Sequence, residues 1–103
     1  MGMTSPDTQA RRYTVRGRVQ GVGFRWFVEA EAHKLHVAGW VRNTSDGAVE
    51  LLAIGTHEQL ANLLTKLRQG PRAARVDEVQ ERQAEIAESS PADSTTFRIE
   101  GTW

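Results

Sequence analysis

The apolar periodicity of this chain switches from two to about 3.6 and back again, twice, and that succession leaves few folds open. From Tyr13 to Gln20 the side chains alternate, with Tyr13, Val15, Gly17 and Val19 on one face and Thr14, Arg16, Arg18 and Gln20 on the other. Such alternation predicts a half-buried strand. Gly21-Val22-Gly23 breaks it. Phe24–His36 then runs without Gly or Pro and is rich in Ala, Glu and Leu, which predicts a helix. Its wheel groups Phe24, Phe27, Val28 and Leu35, although Glu31 falls inside the same face. Val37–Asn43 is extended again, Thr44-Ser45-Asp46-Gly47 carries the Asp-Gly pair of a hairpin turn, and Ala48–Ile54 is the return strand, ended by Gly55.

The second helix is the plainest element. Thr56 and Gln59 form a capping-box pattern, Leu60, Leu63, Leu64 and Leu67 make an i, i+3, i+4, i+7 ridge, and Gly70-Pro71 stops it. Arg75–Gln83 alternates weakly through Val76 and Val79 as another strand. Ala84–Thr95, containing Ser89-Ser90-Pro91, reads mostly as loop, and Thr96–Gly101 closes with Phe97 and Ile99 alternating. The order is β-α-β-β-α-β with an extra C-terminal strand. Two right-handed crossovers around a central hairpin give one mostly antiparallel sheet with both helices on one face. The expected fold is a ferredoxin-like α/β (α+β) sandwich of two layers, a framework that hosts many functions and assigns none.

Length confines the chain to one domain, because 103 residues bury roughly 60–70% of their unfolded surface in a single core. Residues 1–10, polar and turn-rich, read as a flexible tail ahead of a domain spanning 11–103. Thirteen Lys and Arg offset thirteen Asp and Glu, so no net charge steers the chain toward nucleic acid or an anionic membrane. Cysteine is absent, which excludes disulfides, thiolate metal sites and a cysteine nucleophile. No apolar run approaches the roughly 20 residues of a membrane span. No charged-then-apolar leader is evident, and Pro6 stands where a myristoylation motif beginning at Gly2 needs Ser or Thr. A monomeric cytoplasmic domain with neither a nucleic-acid nor a membrane partner is the expectation.

Charge is nonetheless uneven. Arg11, Arg12, Arg16, Arg18 and Arg25 fall in a stretch without acids, whereas Asp77–Glu100 holds seven acids against Arg82 and Arg98. The basic third is either a solvated strand face or a local anion site. Gln20-Gly21-Val22-Gly23-Phe24-Arg25 bears on that choice, since it joins a strand end to a helix start. Glycines there let successive N–H groups converge, and the positive end of the helix favours an anion. Arg25 in the first helical turn can fork onto two oxygens of a phosphate or carboxylate, while costing roughly 0.3–1 kcal/mol against the helix dipole unless an anion compensates. The same residues also fit a tight turn carrying a surface arginine. The loop is neither a Walker loop, lacking Gly-Lys-Ser/Thr, nor a dinucleotide fingerprint, lacking the third glycine. Asn43, at a strand end before the hairpin, either caps that turn or holds a water through an amide that donates and accepts.

Two longer patterns resolve the ambiguity. Val15-Arg16-Gly17-Arg18-Val19-Gln20-Gly21-Val22-Gly23-Phe24-Arg25 resembles the first signature of the acylphosphatase family. Gly39-Trp40-Val41-Arg42-Asn43, followed by Asp46-Gly47-Ala48-Val49 and Gly55, is similar to the second, and Gly70-Pro71 with Ala74-Arg75-Val76 resembles the stretch before the family's fourth strand. The similarity spans about Arg12 to Gly101 with no departure at the motif positions; the segment before Arg11 and the Ala84–Thr95 loop look longer than the family's compact form. The resemblance implies hydrolysis of acyl phosphates to a carboxylate and inorganic phosphate without metal or cofactor. On this sequence it implies that Gln20, Gly21, Val22, Gly23, Phe24 and Arg25 bind the phosphate, with Arg25 its main ligand, and that Asn43 positions the attacking water.

Those residues are chemically sufficient. A carboxylate leaves readily near neutral pH, and phosphoryl transfer demands positioning and charge stabilisation above all. Neither motif contains an acid or a histidine suited to be the base, so a phosphate oxygen is inferred to take the water's proton. His33, His36 and His57 lack ligand-type spacing and read as surface or helix-end residues. Asp46 reads as a turn residue and Glu50 as a polar strand position. Trp26, Trp40 and Trp103 are ambiguous, with Trp40 a candidate to pack beside the site. Two rival classes remain: a non-catalytic anion-binding module, such as a carbamoyl-phosphate-handling domain resembling the start of a hydrogenase maturation protein, and an RNA-binding sheet. The chain reaches Trp103 without the cysteine-rich fingers the first would add next. The second needs aromatics over a basic face, where the first strand offers Tyr13.

Overall fold

The computed structural model describes residues 7–85 and 96–101. Its elements run β1 (Thr8–Arg18), α1 (Phe24–Leu35), β2 (Ala38–Asn43), β3 (Val49–Thr56), α2 (His57–Gln69), β4 (Arg75–Ala84) and β5 (Phe97–Ile99). The strands form a single sheet in the order β4-β1-β3-β2-β5. Every pairing is antiparallel except β2 with β5. This is the two-layer ferredoxin-like sandwich expected, with the extra strand added beside β2.

Strand periodicity sorts the side chains onto two faces. Tyr13, Val15, Val41, Val49, Leu51 and Ala53 join Phe24, Val28 and Ala32 of α1 and Leu60, Leu63 and Leu67 of α2 in the main core. Ala10, Trp40, Leu52 and Ile54 form a smaller cluster at the alternate strand positions, hence on the opposite face. That cluster accounts for one correction. Residues 1–10 were expected as tail, but Thr8, Gln9 and Ala10 pair with Thr56, Gly55 and Ile54 of β3, because Ala10 (2% exposed) has an apolar patch to cover. The rest of that tail, most of the expected Ala84–Thr95 loop and Trp103 lie outside the described residues. Helix α2 has the full reciprocal capping box of Thr56 and Gln59. In α1 the buried residues are Phe24, Val28 and Ala32, with Phe27 and Leu35 half-buried. Glu31 sits at that face's margin and pairs with Lys34 at 3.4 Å.

Candidate active site

The two helices begin differently. Helix α2 starts with a side-chain cap and an acid, Glu58, in its first turn. Helix α1 starts from Gly23 in the left-handed region, with no side-chain cap and no acid in its first turn. Gly21 and Gly23 have φ of 75° and 78°, a conformation that L side chains adopt only with strain. The first N–H groups of a helix have no acceptor inside it, so this turn leaves donors and the positive helix end without a built-in anion.

A cavity of about 190 Å³ opens at this point, lined by Val19, Gly21, Gly23, Phe24, Arg25, Trp26 and Asn43. It gathers the end of β1, the first turn of α1 and the last residue of β2. Arg25 Nη1 donates to the carbonyl of Glu100 at 3.4 Å, just beyond β5, and no acidic side chain among the described residues pairs with it. The other arginines of the basic stretch are mostly neutralised: Arg11 meets Glu81 at 3.6 Å, Arg12 meets Glu50 at 3.2 Å and Arg16 meets Asp46 at 3.0 Å. Of the basic stretch, Arg18 stays on the exposed surface and Arg25 is the arginine that lines the cavity. Asn43 is 8% exposed and is the buried polar side chain among the described residues. Among the described residues, no Asp, Glu or His lines the cavity.

Gln20 and Val22 stand apart from the cavity wall. Val22 packs half-buried on the core. The Gln20 amide Nε2 donates to two carbonyls of the β2–β3 turn, Thr44 at 2.8 Å and Ala48 at 2.7 Å. The turn has further ties: the Thr44 N–H donates to the Ala48 carbonyl at 2.9 Å, and the Ala48 N–H to Thr44 Oγ1 at 3.0 Å. The Thr44 hydroxyl and the Arg16 guanidinium both donate to Asp46, and these bonds hold its carboxyl below the ordinary value. Asp46 is thus the turn residue expected, with an added tie to β1.

The tryptophans change places relative to expectation. Trp40, proposed to pack beside the site, lies on the opposite face of the sheet, its ring centre 5.2 and 4.5 Å from the guanidiniums of Arg12 and Arg42. Strand parity decides this, since Trp40 and Asn43 are an odd number of residues apart. Trp26 is the tryptophan that borders the cavity. Its position next to Arg25 in the first helical turn was the available signal. Glu50 bridges Arg12 and Arg42, and His33 Nε2 contacts the Phe97 carbonyl at 3.1 Å, which fits the structural reading of both.

Fold and cavity together define a small two-layer α/β sandwich with an open hollow at the uncapped start of α1. The acylphosphatase family model matches residues 11–99. The chain is 54% identical over 96 residues to an acylphosphatase of Koribacter versatilis (strain Ellin345), covering 92% of this chain and 83% of that one. Its structure is similar to that of an acylphosphatase from Coxiella burnetii, with a TM-score of 0.84 at 34% identity, covering 97% of this chain and all of that one (100%). It is also similar to part of full-length HypF in the phosphate- and nucleotide-bound form, with a TM-score of 0.82 at 31% identity over 98% of this chain and 13% of that one. The chain belongs to the acylphosphatase family.

Proposed function

We propose that this acylphosphatase cleaves its substrate by direct attack of water on phosphorus, with Arg25 and the turn from Gln20 to Arg25 holding the phosphate and Asn43 orienting the water. The observation that carries this reading is that Arg25 and Asn43, from different elements, line the same small cavity. The guanidinium forks onto two phosphate oxygens, and backbone N–H groups at the uncapped start of α1 complete the cradle. These fixed donors match the charge on the equatorial oxygens without reorganising during the reaction. The Gln20 side chain acts on the cradle indirectly, through the hairpin that it holds.

The Asn43 carboxamide accepts from and donates to the water, aiming its oxygen at phosphorus. The new P–O bond forms as the bond to the acyl oxygen breaks, and the electron pair leaves with the carboxylate. A carboxylic acid of pKa about 4 needs no protonation to depart. The water's proton passes to a phosphate oxygen, consistent with a cavity wall that carries no acid or histidine among the described residues. Holding water in line supplies much of the rate, because positioning converts an encounter into a near-unimolecular step. The substrate in this reading is a small acyl phosphate, and the protein is placed in the cytoplasm as a monomer without a nucleic-acid partner. No helix among the described residues is long and apolar enough to cross a membrane.

The test is turnover of benzoyl phosphate in the presence of chelator. Arg25→Ala nearly abolishes it, and Asn43→Ala costs at least about 100-fold, the scale of one preorganised donor. Undiminished turnover by Arg25→Ala overturns the assignment. The likeness to HypF favours one second reading, a phosphate-binding module without catalysis, which inorganic phosphate binding with no turnover would support.

A further inference from the structure

We infer that Trp26 is the acyl-group contact of this site and gives the enzyme a preference for aromatic over small aliphatic acyl phosphates. The inference rests on the acyl-phosphate reading above and extends it to the part of the substrate that the phosphate cradle does not touch. Trp26 follows Phe24 by two residues, which turns it about 200° around the helix from that buried ring. The core therefore cannot use it, and it is 69% exposed, the large hydrophobic side chain left open among the described residues. A single exposed ring is ordinary. This one also forms part of the wall of the cavity that holds Arg25 and Asn43.

Size decides where the acyl group goes. The cavity encloses about 190 Å³, below the roughly 300 Å³ at which pockets begin to engulf drug-sized molecules. The phosphoryl end enters toward Arg25, and the acyl group stays at the mouth. Of the apolar residues in the wall, Val19 and Phe24 are each 1% exposed and offer no surface there. The Trp26 indole does, and an aryl ring can stack on it where an acetyl group presents one methyl. The acyl ring does not change as phosphorus is transferred, so the contact is equal in ground and transition states. It therefore appears in KM far more than in kcat.

The experiment compares benzoyl phosphate with acetyl phosphate for the wild-type protein, Trp26→Ala and Trp26→Phe. Comparing ratios cancels the intrinsic reactivity of the two substrates. In Trp26→Ala the benzoyl-to-acetyl ratio of kcat/KM falls about 3- to 10-fold, the scale of one aromatic pair, mostly through KM for benzoyl phosphate; Trp26→Phe restores most of it. Inhibition by phenacylphosphonate, a non-hydrolysable aryl analogue, weakens in Trp26→Ala more than inhibition by acetonylphosphonate. An unchanged ratio with turnover intact, or an equal loss for both substrates, overturns the role of Trp26 alone. Failure of the wild-type protein to cleave either substrate overturns the acyl-phosphate reading and this inference with it.

Discussion

The Gln20 amide donates to the carbonyl of Ala48 across 2.7 Å, tying the loop that carries Arg25 to the hairpin that carries Asn43. The same nitrogen reaches Thr44 at 2.8 Å, so one side chain fixes both sides of the turn. Positions 25 and 43 are brought to one cavity by different elements, and this brace links their supports directly. Gln20→Leu is expected to fold, to lose about 0.5–1.5 kcal/mol for each hydrogen bond removed, since the Ala48 and Thr44 carbonyls keep the N–H groups of Thr44 and Gly47, and to lower kcat. The informative measurement is a double-mutant cycle with Asn43→Ala. If Gln20 acts by aiming Asn43, its loss costs little once Asn43 is gone; strictly additive losses refute the brace.

Arg25→Lys keeps the positive charge at the cavity and removes the planar fork. A single ammonium cannot meet two phosphate oxygens in fixed geometry. We expect kcat/KM to fall by about 100-fold or more, comparable with losing an oxyanion donor, although inorganic phosphate still inhibits. Near wild-type turnover would show that Arg25 contributes charge alone.

Tyr13 sets an alkaline limit on stability. Its phenol is fully buried; burial first, and then the carboxylate of Glu81, raise its pKa above the ordinary value of 10.0. The folded protein therefore keeps a proton that the unfolded chain releases. This contribution is fully present below about pH 10 and is lost as pH climbs toward the raised folded value. Tyr13→Phe removes the ionisation. Urea midpoints measured at neutral pH and at pH above 10 should fall further for wild type than for Tyr13→Phe, and parallel losses would contradict this account.

His36 ends α1 in the left-handed region at φ 60°, the non-glycine residue with positive φ among those described. Its N–H and that of Val37 bond back to the last turn, the arrangement in which glycine is usual. His36→Gly relieves the backbone but loosens the unfolded chain. The expected net gain is about 0.5–1 kcal/mol, seen as a rise of a few degrees in Tm with activity unchanged. A lowered Tm would mean that the imidazole makes a compensating contact.

Legibility in the sequence followed the locality of the cause. Helix α2 could be read almost to the residue, since Thr56, Gln59, the leucine ridge and Gly70 act within a few positions of one another. Helix α1 was legible as an element but not as a packed face: Ala32, not Leu35, became fully buried. The wheel cannot say which small residue faces a crowded neighbour. The start of β1 was hidden because Thr8, Gln9 and Ala10 have weak strand character of their own and are held by pairing with β3. Arg25 and Asn43 were singled out through motifs; the hydrogen bonds of the Gln20 side chain were not legible, because its acceptors lie 24 and 28 residues away.

By itself the sequence determined the succession of strands and helices, the glycine turn before α1 and the two polar side chains to which the proposed chemistry is assigned. Local backbone preferences and apolar periodicity are enough for that. The tertiary structure decided that residues 25 and 43 face one hollow, that three neighbouring arginines are occupied by acids, and that Trp26 rather than Trp40 stands at the mouth. Those outcomes depend on strand register and on which face each alternating residue takes, and register is settled when distant segments pair and bury their apolar sides together.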